Sequence, residues 1–300
     1  MAQKTDQLTF DDPTTRHPRV SPPEQDQPMP GLDAELDPPA DRGETSYRGT
    51  GRLQGRRALI SGGDSGIGGA VAIAYAREGA DVAINYLPDE QEDADRIREL
   101  VEAEGRTCVQ LPGDLTNRET VDRVVDQAAE KLGGLDALVV NAGKQVSTPS
   151  IEEISDEQFD LTVKTNVYAM FWMCRAAVKH LEAGSTIILS SSVQAYSPSE
   201  HLLDYAMTKS AMNTFGKGLA KQLAPKGVRV NIVAPGPIWT PLQVVQGQPK
   251  EAIPEFGLGQ PLGRAGQPVE LAPAYVFLAS AESSYVVGET LNVNGGADSP

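Results

Sequence analysis

Residues 57–68 read Arg57-Ala58-Leu59-Ile60-Ser61-Gly62-Gly63-Asp64-Ser65-Gly66-Ile67-Gly68. The reading of this stretch decides the fold. A short apolar run, Arg57–Ser61, predicts a buried strand, and it breaks directly into a turn with glycine in the pattern Gly-x-x-x-Gly-x-Gly. From Gly66 to Glu78 the pattern turns helical. Glycines open backbone conformations closed to other residues and let the chain approach a pyrophosphate closely. The N-terminus of the following helix presents free N–H groups and the positive end of its dipole to those phosphates. A glycine triplet alone is a weak signal, and an ordinary tight turn is the plain alternative. Strand before and helix after give it the context of a dinucleotide-binding turn.

The alternation continues outward. Further apolar runs at Val82–Tyr86, Cys108–Leu111, Ala137–Asn141, Thr186–Ser190, Val228–Ala234 and Leu291–Val293 predict strands. Amphipathic patterns at Glu90–Glu104, Arg118–Leu132, Asp204–Leu223 and Val269–Ala279 predict helices between them. Short apolar strands alternating with helices predict an α/β fold: one Rossmann-type, doubly wound parallel sheet covered by helices on both faces. Ligands of such sheets collect at the carboxyl ends of the strands. The domain is placed at residues 51–300. Residues 1–50 differ in kind: they hold eight of the 22 prolines, with ten acids against five bases, and no helix or strand period. They read as an extended N-terminal arm, laid over a neighbouring subunit, or as a disordered tail.

The bulk composition limits the rest. A net charge of −15, from 26 basic and 41 acidic residues, argues against nucleic acid or an anionic membrane as partner. Cys108 and Cys174 sit among apolar neighbours, which predicts reduced thiols and a cytoplasmic setting. No apolar run approaches the length of a membrane span, and the N-terminus lacks the basic start and apolar stretch of a secretory signal. With only His17, His180 and His201, and no cysteine pair at ligand spacing, no metal site is expected.

Tyr205 and Lys209 lie four residues apart on a predicted helix, so both project from one face. A tyrosine with its ordinary pKa of about 10 is a poor acid or base near neutrality. An adjacent cation favours the phenolate and makes proton exchange feasible. Ser192, thirteen residues upstream, closes the run Ile187-Ile188-Leu189-Ser190-Ser191-Ser192. A hydroxyl there could bond the oxygen on which charge changes. Tyr-x-x-x-Lys alone is usually a surface aromatic beside a solvated lysine, but the serine at this offset and the glycine turn point to a working pair.

With these landmarks the chain resembles the short-chain dehydrogenase/reductase family over about residues 51–296. Asp114 after the third strand, Asn141-Ala142-Gly143 after the fourth, Asn166 in a helix, and Pro235-Gly236 after the sixth follow the family's order and spacing. The resemblance is closest to a bacterial branch of stress-associated oxidoreductases with an N-terminal extension. It implies that Tyr205 is the general acid/base and that Lys209 lowers its pKa while holding the nicotinamide ribose. It further implies that Ser192 positions the substrate carbonyl and that Asn166 supports a water linking Lys209 to solvent. Gly62, Asp64, Ser65, Gly66, Ile67 and Gly68 would cradle the dinucleotide. Asp114 with Leu115 would meet the adenine, Asn141, Ala142 and Gly143 the adenosine side, and Pro235, Gly236 and Ile238 the nicotinamide. Asp114 and Asn141 could equally serve only as turn formers. Ser61 stands where threonine is common, and Val140-Asn141 where Asn-Asn is frequent.

The end of the second strand usually chooses the cofactor, an acid there binding a ribose 2′-hydroxyl and a base a 2′-phosphate. Here it reads Asn85-Tyr86-Leu87, neither acid nor base, while Asp64 would repel a 2′-phosphate, so NAD is favoured over NADP. Residues 240–262, rich in Gln, Gly and Pro, read as a lid, and their lack of convergent charge predicts a small neutral carbonyl or alcohol substrate: an aldehyde, ketone or sugar. Gln145 and Gln194 could line that pocket or face water. The rival readings are a dinucleotide-binding sensor without catalysis and an enoyl reductase, which typically spaces its Tyr and Lys more widely. Apolar residues on the helix Asp204–Leu223 (Ala206, Met212, Phe215, Leu219, Leu223) exceed what one sheet face needs. Together with the resemblance they predict a homotetramer.

Overall fold

Strand β1 (Arg57–Ser61) alternates its side chains across a sheet: Ala58 and Ile60 enter one buried cluster and Leu59 the other. That two-sided burial is what a continuous apolar run requires of a parallel strand. In the computed structural model, which describes residues 5–17 and 21–298, β1 is one of seven parallel strands, and the two at the sheet edges are only half-buried. The others are β2 (Asp81–Tyr86), β3 (Cys108–Pro112), β4 (Leu135–Val140), β5 (Leu181–Ser190), β6 (Arg229–Pro235) and β7 (Thr290–Val293). Their order is β3-β2-β1-β4-β5-β6-β7. The order reverses between β1 and β4, which opens a crevice at their carboxyl ends. The Rossmann-type expectation is met.

One face is covered by α1 (Gly66–Arg77), α2 (Gln91–Ala103) and α7 (Pro268–Ala279). The other carries α3 (Arg118–Leu132), α5 (Ala169–Ala177) and α6 (Leu203–Leu223). Helix α3 starts where the Asn117 side chain accepts from Thr120 N at 3.0 Å and stops at Gly133, whose φ of +74° suits glycine. A helix that periodicity did not single out, α4 (Asp156–Val163), is capped by Ser155 and runs into α5 through a π-helical turn at Lys164–Tyr168. Asn166 lies in that turn, and such turns are frequent at functional sites.

Two expectations about packing change. Ala206, Met212 and Leu223 of α6 are buried in the chain's own core, and Phe215 and Leu219 pack against it. They are therefore not surplus surface. The exposed apolar residues of this region are instead Phe159, Leu161, Tyr168 and Phe171 on α4–α5, with Leu203 and Met207 on α6.

The arm, for its part, packs on its own domain. Asp41 N donates to Gln267 Oε1 (2.8 Å) and Val269 N to Asp41 O (3.0 Å), and the Arg77 guanidinium donates to the carbonyls of Gly43, Glu44 and Tyr47. Tyr47 OH donates to the buried Glu78 at 2.7 Å. Burial would raise the Glu78 carboxyl, but Arg52, Tyr47 and Thr50 N hold it down at about 2. Among the described residues, no helix is long and apolar enough to cross a membrane.

Candidate functional site

A cleft of about 580 Å³ opens at the carboxyl ends of the strands, where the order reverses. Its floor is the turn after β1. Gly62 and Gly66 take φ values of +58° and +48°, conformations that glycine permits. Gly68 does not line the cleft: a Cβ there would collide with the Gly62 carbonyl, so this glycine lets the helix close on the turn. Ser61 keeps the role a hydroxyl can play, accepting from Asn141 N (2.9 Å) and Ala142 N (3.1 Å). Asn141 Nδ2 donates to Gly62 O (3.2 Å), and its Oδ1 accepts from Ser190 Oγ (3.1 Å). One amide thus ties the ends of β1, β4 and β5 together.

Of the residues singled out from sequence, Gly62, Asp64, Ser65, Gly66, Ile67, Asp114, Leu115, Asn141, Ala142 and Gly143 line the cleft. So do Ser192, Tyr205, Lys209, Pro235, Gly236 and Ile238. Asp114 also forms the local turn that its type favours, Oδ1 accepting from Thr116 N at 2.8 Å. Ser192 stands two residues beyond β5, not within it, and its hydroxyl accepts from Gln194 N at 3.1 Å.

Asn166 does not reach the cleft. It is buried behind the wall, where Oδ1 accepts from Lys144 N (2.7 Å) and Nδ2 donates to Lys144 O (2.9 Å) and Thr208 Oγ1 (2.9 Å). Its side chain holds the backbone of residue 144. A Cβ built on Gly143 would lie 3.5 Å from both Asn166 Oδ1 and Lys209 Nζ, so that glycine sits between the two side chains.

Tyr205 and Lys209 share one face of α6, with Nζ 5.4 Å from the ring centroid and donating to Ser190 O at 2.8 Å. Burial pushes the Tyr205 phenol up to about 12, against a hydrogen bond with Ser192 that lowers it. Burial also pulls Lys209 down to about 8. The expected lowering of the tyrosine by its lysine is not found in this arrangement. Desolvation disfavours the charged form of both groups, and the ammonium is turned to a carbonyl.

At the far end of the cleft, Asn85 is spent on structure, its Nδ2 donating to Leu111 O and Gly113 O at 3.0 Å each. Asp64 is 1% exposed, and neither carboxylate oxygen has a hydrogen-bond partner among the described residues. Burial, with Glu90 next, raises its pKa well above the usual carboxylate range. Glu90 lines the same end, raised to about 7 by burial, while its Oε2 accepts from Leu87 N at 2.7 Å. The N–H of Gly66, expected to face a phosphate, donates instead to Asp33 Oδ2 of the arm at 2.8 Å, and Arg42 pairs with that oxygen at 3.0 Å. The N–H groups of Ile67 and Gly68 have no carbonyl to bind within the helix.

Several lining residues were not foreseen, and four of them bear on the chemistry. Met29 and Pro30 reach the cleft from the arm, a contact more than a hundred residues distant from Lys144 that no local pattern announces. Glu90 stands three residues past the strand end that was inspected, and its place as the acid of a capping turn was the available signal. Lys144 directly follows Asn141-Ala142-Gly143, and a charge beside that motif could have been flagged. Gln145 and Gln194 both line the cleft. The lid, from Thr240 through Gln260, adds no charged side chain to it, as expected, but Lys144 does. The wall as a whole is therefore not neutral. Among the described residues, no group of three or more His, Cys, Asp or Glu side chains is placed to hold a metal.

A family model described as enoyl-(acyl carrier protein) reductase matches residues 62–298. The oxidoreductase YghA of Escherichia coli (strain K12) is 55% identical over 285 residues, covering 95% of this chain and 97% of that one. General stress protein 39 of Bacillus subtilis (strain 168) is 46% identical over 280 residues, covering 93% and 97%. A short-chain dehydrogenase from Burkholderia cenocepacia J2315, solved in complex with NADP, superposes with a TM-score of 0.77 at 34% identity, covering 83% of this chain and all of that one. The chain belongs to the short-chain dehydrogenase/reductase family of oxidoreductases.

Proposed function

We propose that this enzyme reversibly reduces a small carbonyl compound, or oxidises the matching alcohol, with a nicotinamide dinucleotide. One observation carries the reading: Ser192, Tyr205 and Lys209 line the same cleft whose floor is the glycine turn. The residues fit such a cofactor. The positive-φ glycines leave room for a pyrophosphate, and the orphaned carboxylate of Asp64 lacks partners that ribose hydroxyls could supply. When bound, the dinucleotide supplies or accepts the hydride. Gly62, Ser65 and Ile67 would hold its phosphates, Asp64 and Glu90 its adenosine ribose, and Lys209 its second ribose. At the ribose end Asp64 and Glu90 offer carboxyl oxygens to ribose hydroxyls, and no lining side chain there offers a 2′-phosphate a cation, which favours NAD over NADP.

Tyr205 is the proton donor and acceptor. With its pKa near 12 it is protonated at neutral pH, the form that carbonyl reduction needs. Ser192 orients the substrate oxygen, and Asn166 fixes the Lys144 backbone beside Lys209. Phenylalanine at 205 keeps the ring and removes the proton. Tyr205→Phe should therefore lower kcat at least a hundredfold while cofactor affinity, measured by NADH fluorescence titration, stays within a few-fold. More than a few per cent of residual turnover would overturn the assignment. A sensor without catalysis is the second reading, and turnover by the native enzyme in the same assay would exclude it. The Tyr-Lys spacing of four argues against an enoyl reductase.

The exposed apolar face on α4–α5 and α6 supports a homotetramer. The two thiols, Cys108 and Cys174, unpaired and raised to about 12 by burial, suit a reducing cytoplasm.

A further inference from the structure

Lys144 has no role in the scheme above, yet it is one of the least comfortably placed charges in the molecule. It lines the cleft with 8% of its surface exposed. Among the described residues, its Nζ makes one hydrogen bond, to the thioether Sδ of Met29 at 3.1 Å, and no ion pair. Sulfur of that type is a weak acceptor, and an ammonium has three donors to satisfy. Burial lowers its pKa, and Asp204 acts against that. The Asp204 carboxylate is already committed, accepting from Tyr205 N (2.8 Å) and Thr162 Oγ1 (2.8 Å). A buried cation without an anionic partner is expensive to maintain in a folded protein.

The charges of the cleft are sorted by the sheet. Its acids, Asp64, Glu90 and Asp114, follow β1, β2 and β3, on one side of the reversal. From Asn141 onward, on the side of β4 to β7, no aspartate or glutamate lines the wall, and the cations Lys144 and Lys209 do. Lys209 is turned to Ser190 O. Lys144 is held relative to it by the Asn166 amide, which clamps both the N–H and the carbonyl of residue 144 and reaches Thr208, next to Lys209. The backbone that carries the cation is thus held at a fixed offset from the proton-transferring pair.

We propose that Lys144 is a specificity-determining residue, and that the carbonyl substrate carries an anionic oxygen group, carboxylate or phosphate, which the ammonium binds in place of the Met29 sulfur. The inference rests on the carbonyl oxidoreductase reading and sharpens its substrate class. It replaces the neutral substrate suggested by the lid alone.

Two pairs of aldehydes test it: 4-oxobutanoate against butanal for a carboxylate, and glyceraldehyde 3-phosphate against glyceraldehyde for a phosphate. The native enzyme should favour the anionic member of at least one pair by tenfold or more in kcat/KM, and which pair responds identifies the anion. Lys144→Gln should reduce that ratio to within about twofold of unity, and Lys144→Arg, which keeps the charge, should retain part of it. Equal anionic-to-neutral ratios in the native enzyme and Lys144→Gln would overturn the proposal, as would a native preference for the neutral members. Should no aldehyde be turned over, the small-carbonyl reading fails, and binding decides the present point separately. Succinate or inorganic phosphate should raise the melting temperature of the native protein and of Lys144→Arg but not of Lys144→Gln. An equal rise in all three, or none in the native protein, overturns it. If Lys144→Gln fails to fold, the native and Lys144→Arg ratios still decide.

Discussion

Replacing Lys209 with methionine tests whether the buried ammonium is held in place against its own desolvation. The lysine's pKa falls from 10.5 to about 8 because burial disfavours the charged form. At about 1.36 kcal/mol per pH unit, that drop corresponds to about 3 kcal/mol of native stability given up at neutral pH. Below pH 8 both the native and the unfolded chain keep the proton, and the full penalty stands. Between pH 8 and 10.5 the native state releases it first, the unfolded chain binds more protons, and stability rises with pH. Above 10.5 both forms are neutral and the penalty is gone. Methionine has a similar reach and no charge, so Lys209→Met lacks this dependence. It also loses the hydrogen bond to Ser190 O, which offsets about 1–2 kcal/mol of the gain at pH 7. The cleaner quantity is the difference between pH values: from pH 7 to pH 10 the native protein should gain about 2–3 kcal/mol relative to the variant. Urea unfolding of both proteins without cofactor, at the two pH values and one protomer concentration, measures it. Parallel pH dependences, or a variant that gains relative to the native protein at pH 10, would refute the reasoning.

Two further outcomes follow from other parts of the cleft. Asp64→Ala combined with Leu87→Arg removes a buried acid and adds a guanidinium where Leu87 lines the ribose end, so the ratio of NADH to NADPH affinity should fall at least tenfold. A native enzyme that already prefers NADPH tenfold in the same titration would refute the NAD assignment. Deleting residues 1–45 removes the Asp33 carboxylate from Gly66 N and Leu36 from the cluster under the lid with Trp239, Val244 and Ile253. The truncated protein should melt at least 5 °C lower and bind NADH more weakly, and light scattering of both forms reports whether assembly changes. Unchanged melting and affinity would reduce the arm to a passive tail, and a full-length monomer at micromolar concentration would eliminate the tetramer.

What the sequence made legible was whatever is local. Arg57–Ser61 runs into Gly62–Gly68 within a dozen residues, so one window holds the strand, the turn and the helix start. Tyr205 and Lys209 share a helix face by spacing alone. Asn166 was placed by family order, but its work depends on bonding the backbone of Lys144 and the hydroxyl of Thr208, partners 22 and 42 residues away. No periodicity reports that, and family order says nothing of the packing that sets Asn166 behind the cleft wall. The same limit explains the apolar residues of α6. Met212 and Leu223 count as surplus only until Met170, Met173 and Val230 are known to share their cluster. It explains the pKa of Tyr205 as well: the neighbouring cation is visible in the sequence, whereas the burial that raises the phenol is a property of the whole fold. Lys144 joins both kinds of evidence. Its position after Asn141-Ala142-Gly143 is local and readable, but its lack of an acidic partner emerges only once the sheet has sorted acids to the β1–β3 side and cations to the other. A charge that the fold leaves unanswered in a cleft is most simply answered by what the cleft binds.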